Sequence, residues 1–124
     1  MESGLQNILA DQVVVITGGS RGIGYAAGLQ MAKLGATVVL IGRTESSART
    51  AAQSLIDLGF DALGLGVDVS DAMQVDQVIS EHPLARNADI LVNSAGVMSD
   101  KMAKTLWTSP EEWHRVMSIN LDGT

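Results

Sequence analysis

Glycine residues are concentrated in residues 17–24 (TGGSRGIG), between an apolar β-branched run and an amphipathic segment. Glycine lets a backbone approach a diphosphate without Cβ clashes, and a helix that begins there directs free N–H groups at the anion. Gly22, Gly24 and Ala27 also satisfy the G-x-G-x-x-A dinucleotide pattern. The segment therefore predicts a dinucleotide site that uses Gly18, Ser20, Arg21, Gly22, Ile23 and Gly24.

Other interpretations of the same segment are a glycine-rich connection without a ligand and the G-x-S-x-G elbow of serine hydrolases. For the elbow, Ser20, Asp100 and His114 occur in the required triad order. An elbow also needs an earlier strand and loop to supply an oxyanion-hole N–H, whereas twelve mostly non-strand residues precede Val13. The hydrolase is therefore a minor alternative. A P-loop is excluded because Tyr and Ala follow Gly24, where Lys and Ser or Thr are required.

The end of the second apolar run distinguishes between the two nicotinamide dinucleotides. An NAD site places Asp or Glu there, about 20 residues past the glycines, to bind the ribose 2′ hydroxyl. This sequence has Gly42 and Arg43 instead, and Arg21 adds a second guanidinium. Because a guanidinium favours a 2′-phosphate, the cofactor is predicted to be NADP(H). The alternative is that both arginines are solvated surface side chains.

Apolar runs that alternate with helical stripes indicate the elements that position these residues. The runs predict strands over residues 13–17, 36–42, 62–69 and 90–93, the third weakened by Gly64 and Gly66. Strands and helices alternating at these lengths imply a parallel sheet with right-handed crossovers. We therefore expect one α/β domain over residues 1–124, a doubly wound, Rossmann-type sheet that is incomplete after its fourth strand and the following helix.

Each strand is followed by a segment with helical periodicity. The stripes consist of Ile23, Ala27, Met31 and Leu34 before a Gly35 cap, of Ala48, Ala51, Leu55 and Leu58 before Gly59, and of Ala72, Val75, Val78 and Ile79 before His82 and Pro83. A further helix is predicted to begin at Ser109, with Pro110 at its first position and Glu112 three residues after the cap.

Composition excludes several classes of function. The formal net charge is -6, and four aromatic residues in 124 provide no stacking platform, so no nucleic-acid partner is expected. The sequence contains no cysteine, no signal pattern at its start and no apolar run of about 18 residues, which predicts a cytoplasmic protein without a membrane partner. His82 and His114 lack metal-ligand spacing, so no metal is predicted.

Three motifs in order resemble the N-terminal half of a short-chain dehydrogenase/reductase. Residues 17–24 are similar to the family's TGxxxGIG motif, residues 68–69 to the pair that holds the adenine ring, and residues 93–96 (NSAG) to its NNAG motif, with Ser94 in place of the second Asn. The resemblance implies cofactor contacts by Asp68, Val69, Asn93, Ala95 and Gly96. Taken singly, Asp68 with Ser70 could instead cap a helix, and Asn93 could fix a strand end.

A fourth motif, residues 109–123 (SPEEWHRVMSINLDG), resembles the family's next helix. In that family the Asn of an NLxG segment joins the catalytic residues, which implies a catalytic Asn120; the alternative is that Asn120 and Gly123 form a helix C-terminus. Residues 96–124 most resemble 3-oxoacyl-thioester reductases, which suggests a carbonyl or alcohol substrate of that kind.

The family's catalytic Ser and Tyr-x-x-x-Lys are absent from this sequence, because its one tyrosine, Tyr25, is followed four residues later by Leu29. The first expectation is therefore the cofactor half of an NADP(H)-dependent oxidoreductase, and the alternative is an inactive NADP-binding or partner-binding module. A sheet of order 3-2-1-4 would leave residues 90–93 as an apolar edge. We expect this edge to favour association, including a homo-oligomer, and poor solubility of the isolated chain.

Overall fold

The computed structural model describes residues 7–96 and 110–117. Ser109, Asp100 and Asn120, three residues singled out above, lie outside these ranges. The strands are β1 (Val13–Thr17), β2 (Thr37–Gly42), β3 (Ala62–Gly66) and β4 (Ile90–Asn93), and the helices are α1 (Gly22–Lys33), α2 (Glu45–Asp57), α3 (Ala72–Glu81), α4 (Pro83–Arg86) and α5 (Pro110–Met117). No helix in these ranges is long and apolar enough to cross a membrane.

The four strands form one parallel sheet in the order β3-β2-β1-β4, which confirms the predicted fold class and strand order. Thr17, the last residue of β1, is in register with Ile41 of β2 and Asn93 of β4. The carboxyl ends of these strands therefore meet at one edge of the sheet. In doubly wound folds, ligands bind at this edge.

Both faces of the sheet are covered, as the continuous β-branched runs require. One face packs against α1 and α2 through a cluster that includes Ala32 and Leu55, and the other packs against α3 and α4 through a cluster that includes Ala85. The fully buried large side chains belong mostly to the sheet and to α2: Ile16, Leu40, Leu55, Val14, Val38 and Val39.

The predicted apolar stripe of α1 is wrong in its first residue. Ile23 is 85% exposed, and the residues of α1 that are buried are Gly24, Gly28 and Ala32. A Cβ at Gly28 would lie 3.0 Å from Leu40 Cδ2, so small residues set the distance between α1 and the sheet. The periodicity of large apolar residues therefore misplaces the contact face. The predicted cap is confirmed, because Gly35 follows the helix with φ of 102°.

Helix α2 begins at the Thr44 cap, whose side chain accepts a hydrogen bond from Ser47 N. It buries Ala48, Ala51, Ala52 and Leu55 against the sheet. Leu58, the last residue of the predicted stripe, is 61% exposed because the helix ends at Asp57 and the chain turns at Gly59.

Two glycines of β3 let α2 pack on it at main-chain distance. A Cβ at Gly64 would overlap the carbonyl oxygen of Ala48, and one at Gly66 would overlap the backbone nitrogen of Glu45. The backbone of α2 therefore touches the backbone of β3 directly. Glycine lowers the strand propensity of this segment, but the packing of α2 requires glycine at both positions.

Strand β3 is shorter than predicted, and three further details differ from the prediction. The Val67 N–H still bonds to Gly42 O at 2.9 Å, but the Asp68 N–H turns to the side chain of Gln74, which ends the ladder after Gly66. Strand β2 begins at Thr37 rather than at residue 36. Ala72, at the start of α3, is exposed, and the short α4 was not predicted.

Candidate functional site

A cleft of about 680 Å³ opens at the carboxyl ends of the strands. All but one of the predicted cofactor residues line it. Those that do are Gly18, Ser20, Arg21, Gly22, Ile23, Gly24, Arg43, Asp68, Val69, Ala95 and Gly96. The cleft also includes residues that were not predicted as site residues: Ile41, Gly42, Ser47, Val67 and Ser94.

The loop between β1 and α1 has the backbone conformation that its glycines allow. Gly18 and Gly22 have φ of 65° and 61°, a region that residues with a Cβ enter at a cost. Arg21 is the N-cap of α1, and its side chain makes no capping hydrogen bond. With no acidic residue in the first turn, the amino end of α1 presents N–H groups and positive dipole to the cleft.

Close main-chain contacts hold this loop in place. A Cβ at Gly18 would lie 2.7 Å from Ser94 O and 2.8 Å from Ala95 N, and one at Gly24 would overlap Gly18 O. Real Cβ atoms do not come so close to backbone atoms. At these positions glycine is required by space, whereas at Gly22 a Cβ would meet nothing within 4 Å and only the positive φ favours glycine.

Thr17 joins this loop to the loop that follows β4, a function that the sequence analysis missed. Its Oγ1 accepts hydrogen bonds from Ser94 N at 3.1 Å and Ala95 N at 3.2 Å, and the Ser94 N–H also bonds to Thr17 O at 3.2 Å. The hydroxyl donates in turn to Val92 O at 3.5 Å. The signal was available in the sequence, because a hydroxyl residue ends a strand that is apolar throughout.

The residues of the NSAG motif, 93–96, divide into two groups. Ser94, Ala95 and Gly96 line the cleft, while Asn93 is exposed and is not among the lining residues. Asn93 ends β4, where it is paired in register with Thr17. The structure therefore brings the predicted Ala95 and Gly96 into the cleft and leaves Asn93 beside it.

The end of β2 supplies the basic part of the cleft. Gly42 is buried, and the exposed Arg43 follows it at the rim, with the hydroxyl residues Ser20 and Ser47 nearby. Glu45, in the first turn of α2, forms an ion pair of 2.7 Å with the exposed Arg49. The Glu45 carboxylate is therefore directed to Arg49 on the same helix, and Glu45 is not among the residues that line the cleft.

Asp68 faces the cleft from a tight turn after β3. Its Oδ1 accepts hydrogen bonds from Ser70 Oγ at 2.6 Å and from Ser70 N at 3.0 Å. These bonds hold the pKa of the Asp68 carboxyl below its ordinary value; slight burial opposes them, and the charge of Arg43 acts with them. The N-cap of α3 is Asp71, whose Oδ1 accepts from Gln74 N at 3.2 Å, so Asp68 is not the cap.

A second, shallower groove of about 460 Å³ lies between the start of α1 and the part of α2 from Ser46 to Ser54. It shares Ser20, Arg21 and Ser47 with the main cleft. Ser46 lines this groove and not the main cleft. Its other lining residues are Tyr25, Thr50, Ala51 and Ser54.

The structure gives the hydrolase alternative no support among the described residues. There, the Ser20 side chain lies beside Gly42 and Ser47 and makes no hydrogen bond to a histidine. His114 lies on α5 and is exposed, and Asp100 is outside the described ranges. Ser20 thus has no described base to activate it.

Comparison with known proteins identifies the family to which this chain belongs. The family model described as short chain dehydrogenase matches residues 12–124. The short-chain reductase protein NovJ of Streptomyces niveus is 34% identical over 116 residues, which cover 92% of this chain and 43% of that protein. The chain spans about half the length of the curated relatives it matches.

Solved structures show the same relationship. A 3-oxoacyl-[acyl-carrier protein] reductase with bound NAD from Brucella melitensis is 31% identical with a TM-score of 0.87, over 99% of this chain and 48% of that one. A gluconate 5-dehydrogenase from Burkholderia cenocepacia in complex with NADP and tartrate is 36% identical with a TM-score of 0.83, over 98% and 47%. The chain therefore belongs to the short-chain dehydrogenase family of oxidoreductases.

Proposed function

We propose that this chain is the cofactor-binding part of an NADP(H)-dependent oxidoreductase that acts on a carbonyl or alcohol. One observation carries the choice of dinucleotide: Arg43, and no carboxylate, follows β2 at the rim of the cleft. An acidic residue at that point would bind the ribose 2′ hydroxyl and repel a 2′-phosphate. Arg21 lines the same cleft and adds positive charge.

The residues present fit a dinucleotide along the whole cleft. The diphosphate would lie at the amino end of α1. Gly18 and Gly24 leave no room there for a Cβ, and the side chain of Arg21 makes no capping hydrogen bond to the N–H groups of the helix. Asp68 would accept a hydrogen bond from the adenine amino group, and Val69 would contact the ring. Ala95 and Gly96 would border the cofactor on the opposite side.

The nicotinamide ring, when bound, supplies or accepts a hydride. Ile23, which is largely exposed in the cleft, provides an apolar surface beside the first turn of α1. Asn120, outside the described residues, is the proposed catalytic residue of this chain. A 3-oxoacyl thioester is the proposed substrate, on the family resemblance of residues 96–124.

Titration of the 124-residue chain with NADPH and with NADH tests the choice of cofactor. We expect NADPH to bind at least about tenfold more tightly, since a charge-assisted contact to phosphate contributes about 1.5–3 kcal/mol. Arg43→Gln should remove most of this preference by weakening NADPH alone. Arg49→Gln is the matched control, because Arg49 is exposed and paired with Glu45. Tighter binding of NADH would contradict the proposal.

A binding module without turnover is the second candidate, since the residues that line the cleft support cofactor binding in either case. Oxidation of NADPH with a 3-oxoacyl thioester, measured at the nicotinamide absorbance, distinguishes the two. We expect turnover when a segment that carries Ser and Tyr-x-x-x-Lys from a relative is added in trans. Tight NADPH binding with no turnover in that mixture would favour the module.

A further inference from the structure

Gln74, in the first turn of α3, reaches past the N-cap of its own helix, Asp71. In the usual capping box, the side chain of the third helical residue accepts a hydrogen bond from the backbone N–H of the N-cap. Here the Asp71 N–H donates instead to Asp68 O at 2.9 Å, and Gln74 Oε1 accepts from the Asp68 N–H. Helix α3 is therefore tied through Gln74 to a residue that lines the cleft.

These bonds fix both main-chain groups of Asp68, and Ser70 fixes one oxygen of its carboxylate. Oδ1 accepts from Ser70 Oγ at 2.6 Å and from Ser70 N at 3.0 Å, and the hydrogen bonds among the described residues do not use Oδ2. Because the bonds from Ser70 hold the pKa of Asp68 below its ordinary value, the carboxylate is ionised at neutral pH. One acceptor atom, Oδ2, is thus left for a donor in the cleft.

The side chain of Gln74 can be changed without changing the start of α3. It is exposed, and the helix cap does not depend on it, because Asp71 Oδ1 accepts from the backbone N–H of Gln74 at 3.2 Å. The first helical bond, from Val75 N to Asp71 O at 3.0 Å, is also made by main chain. A substitution at position 74 therefore removes the bond to Asp68 and leaves the helix in place.

We propose that Gln74 is a positioning residue that fixes Asp68 for recognition of the purine base. With Gln74 in place, Asp68 Oδ2 is held to accept a hydrogen bond from the amino group of adenine. Hypoxanthine carries a carbonyl oxygen at the same ring position, which is an acceptor and cannot make this bond. Gln74 is not among the residues that line the cleft, so it acts on the choice of base through Asp68. The inference rests on the proposed function, because it requires a dinucleotide in the cleft.

Paired titrations of Gln74→Met test this inference. Met has about the length of Gln but offers no strong acceptor to the Asp68 N–H. The probes are NADPH and its hypoxanthine analogue. We expect the unmodified chain to bind NADPH about tenfold more tightly than the analogue, as for one hydrogen bond to a charged group. Gln74→Met should reduce this preference to about threefold by weakening NADPH alone.

Two further variants separate positioning from a general effect on the fold. Gln77→Met is the matched control, because Gln77 is exposed one turn later on α3 and its side chain donates to Glu81 Oε1 at 3.3 Å within the helix. It should keep the tenfold preference. Gln74→Glu should keep most of it as well, since its carboxylate provides an acceptor for the Asp68 N–H and suits the first turn of a helix.

Equal weakening of NADPH and the analogue by Gln74→Met would overturn the inference, because it would mean that Gln74 only supports the fold. An unchanged preference in Gln74→Met, or no preference in the unmodified chain, would overturn it as well. Tighter binding of NADH than of NADPH would refute the proposed cofactor alone, and the preference for adenine would then be measured with NADH and its hypoxanthine analogue. No binding of any dinucleotide would refute the proposed function and this inference together.

Discussion

The two walls of the cleft recognise a ligand by different means. The inner wall, residues 17–24 and 94–96, is built from backbone atoms in close contact: a Cβ added at Gly18 or Gly24 would collide with main chain. The outer wall, residues 42, 43, 47 and 67–69, presents side chains that include those of Arg43, Ser47 and Asp68, and a Cβ added at Gly42 would meet side chains only.

This difference separates what is fixed from what can vary. Main-chain atoms cannot be exchanged by mutation, so the inner wall suits the diphosphate that every nicotinamide dinucleotide contains. Side chains can be exchanged, so the outer wall suits the ribose substituent, which distinguishes one dinucleotide from the other. Substitutions of the close-packed glycines Gly18 and Gly24 should therefore affect folding and all dinucleotides alike, whereas those of Arg43 should affect selectivity.

The largest effect is expected for Gly24→Ala on the inner wall. The new Cβ would overlap Gly18 O and lie 2.8 Å from Gly18 C, and neither atom can move without displacing the loop. We expect a loss of about 3 kcal/mol in the free energy of unfolding, measured by denaturant titration, and loss of binding to NADPH and NADH alike.

Gly22→Ala is the control for that substitution. Gly22 has the same kind of positive φ as Gly18 but open space around it, so we expect a cost of only about 1 kcal/mol. Equal destabilisation by the two variants would mean that the close contacts at Gly24 contribute no more than the positive φ does at Gly22.

An intermediate effect is expected for Thr17→Val, which keeps the shape of the side chain and removes its hydroxyl. Ser94 N retains its bond to Thr17 O, whereas Ala95 N loses the acceptor that Oγ1 provides. We expect about 2 kcal/mol of destabilisation and weaker binding of both dinucleotides. Thr17→Ser should restore most of both. If Thr17→Ser is as damaging as Thr17→Val, the methyl group and not the hydroxyl is what matters.

The smallest effect is expected for Asp68→Asn on the outer wall. Because its hydrogen bonds from Ser70 lower the pKa of Asp68, the stability they provide is present above the ordinary carboxyl pKa of about 3.9 and is lost as the pH falls through the lowered value. The melting temperatures of the two proteins should differ by no more than about 3 °C from pH 5 to 8 and converge below pH 4. A difference that persists in acid would show that the turn does not depend on charge.

The fold was predictable because β1 and β2 are runs of apolar, largely β-branched residues that end at or next to glycine. Strands β1 and β4 have the predicted bounds, and the sheet order follows from the alternation of strands and helices. Helix faces were less predictable. Ile23 has the right spacing for the core, but Gly28 is the residue that faces the sheet at Leu40, and Gly24 contacts the loop at Gly18.

Site residues that belong to a sequence motif, such as the glycine-rich loop, were predictable from the sequence. Contacts between residues of different loops were not predictable, because they depend on which loops meet in the folded chain. Nothing local in the sequence relates Thr17 to Ala95, or Ser20 to Gly42; both pairs meet only because parallel strands in register bring their ends together. Asn93 shows the converse, since its motif is present and its position in the register leaves it beside the cleft.

The contact between α2 and β3 has a consequence for how this architecture can diverge. At Gly64 and Gly66 the separation of helix and strand is set by main-chain atoms, whose size is the same in every sequence. Most neighbouring side chains can therefore change without altering the distance from the first turn of α2 to the end of β3. Mutation can replace the chemistry of the outer wall while the dimensions of the cleft are inherited unchanged.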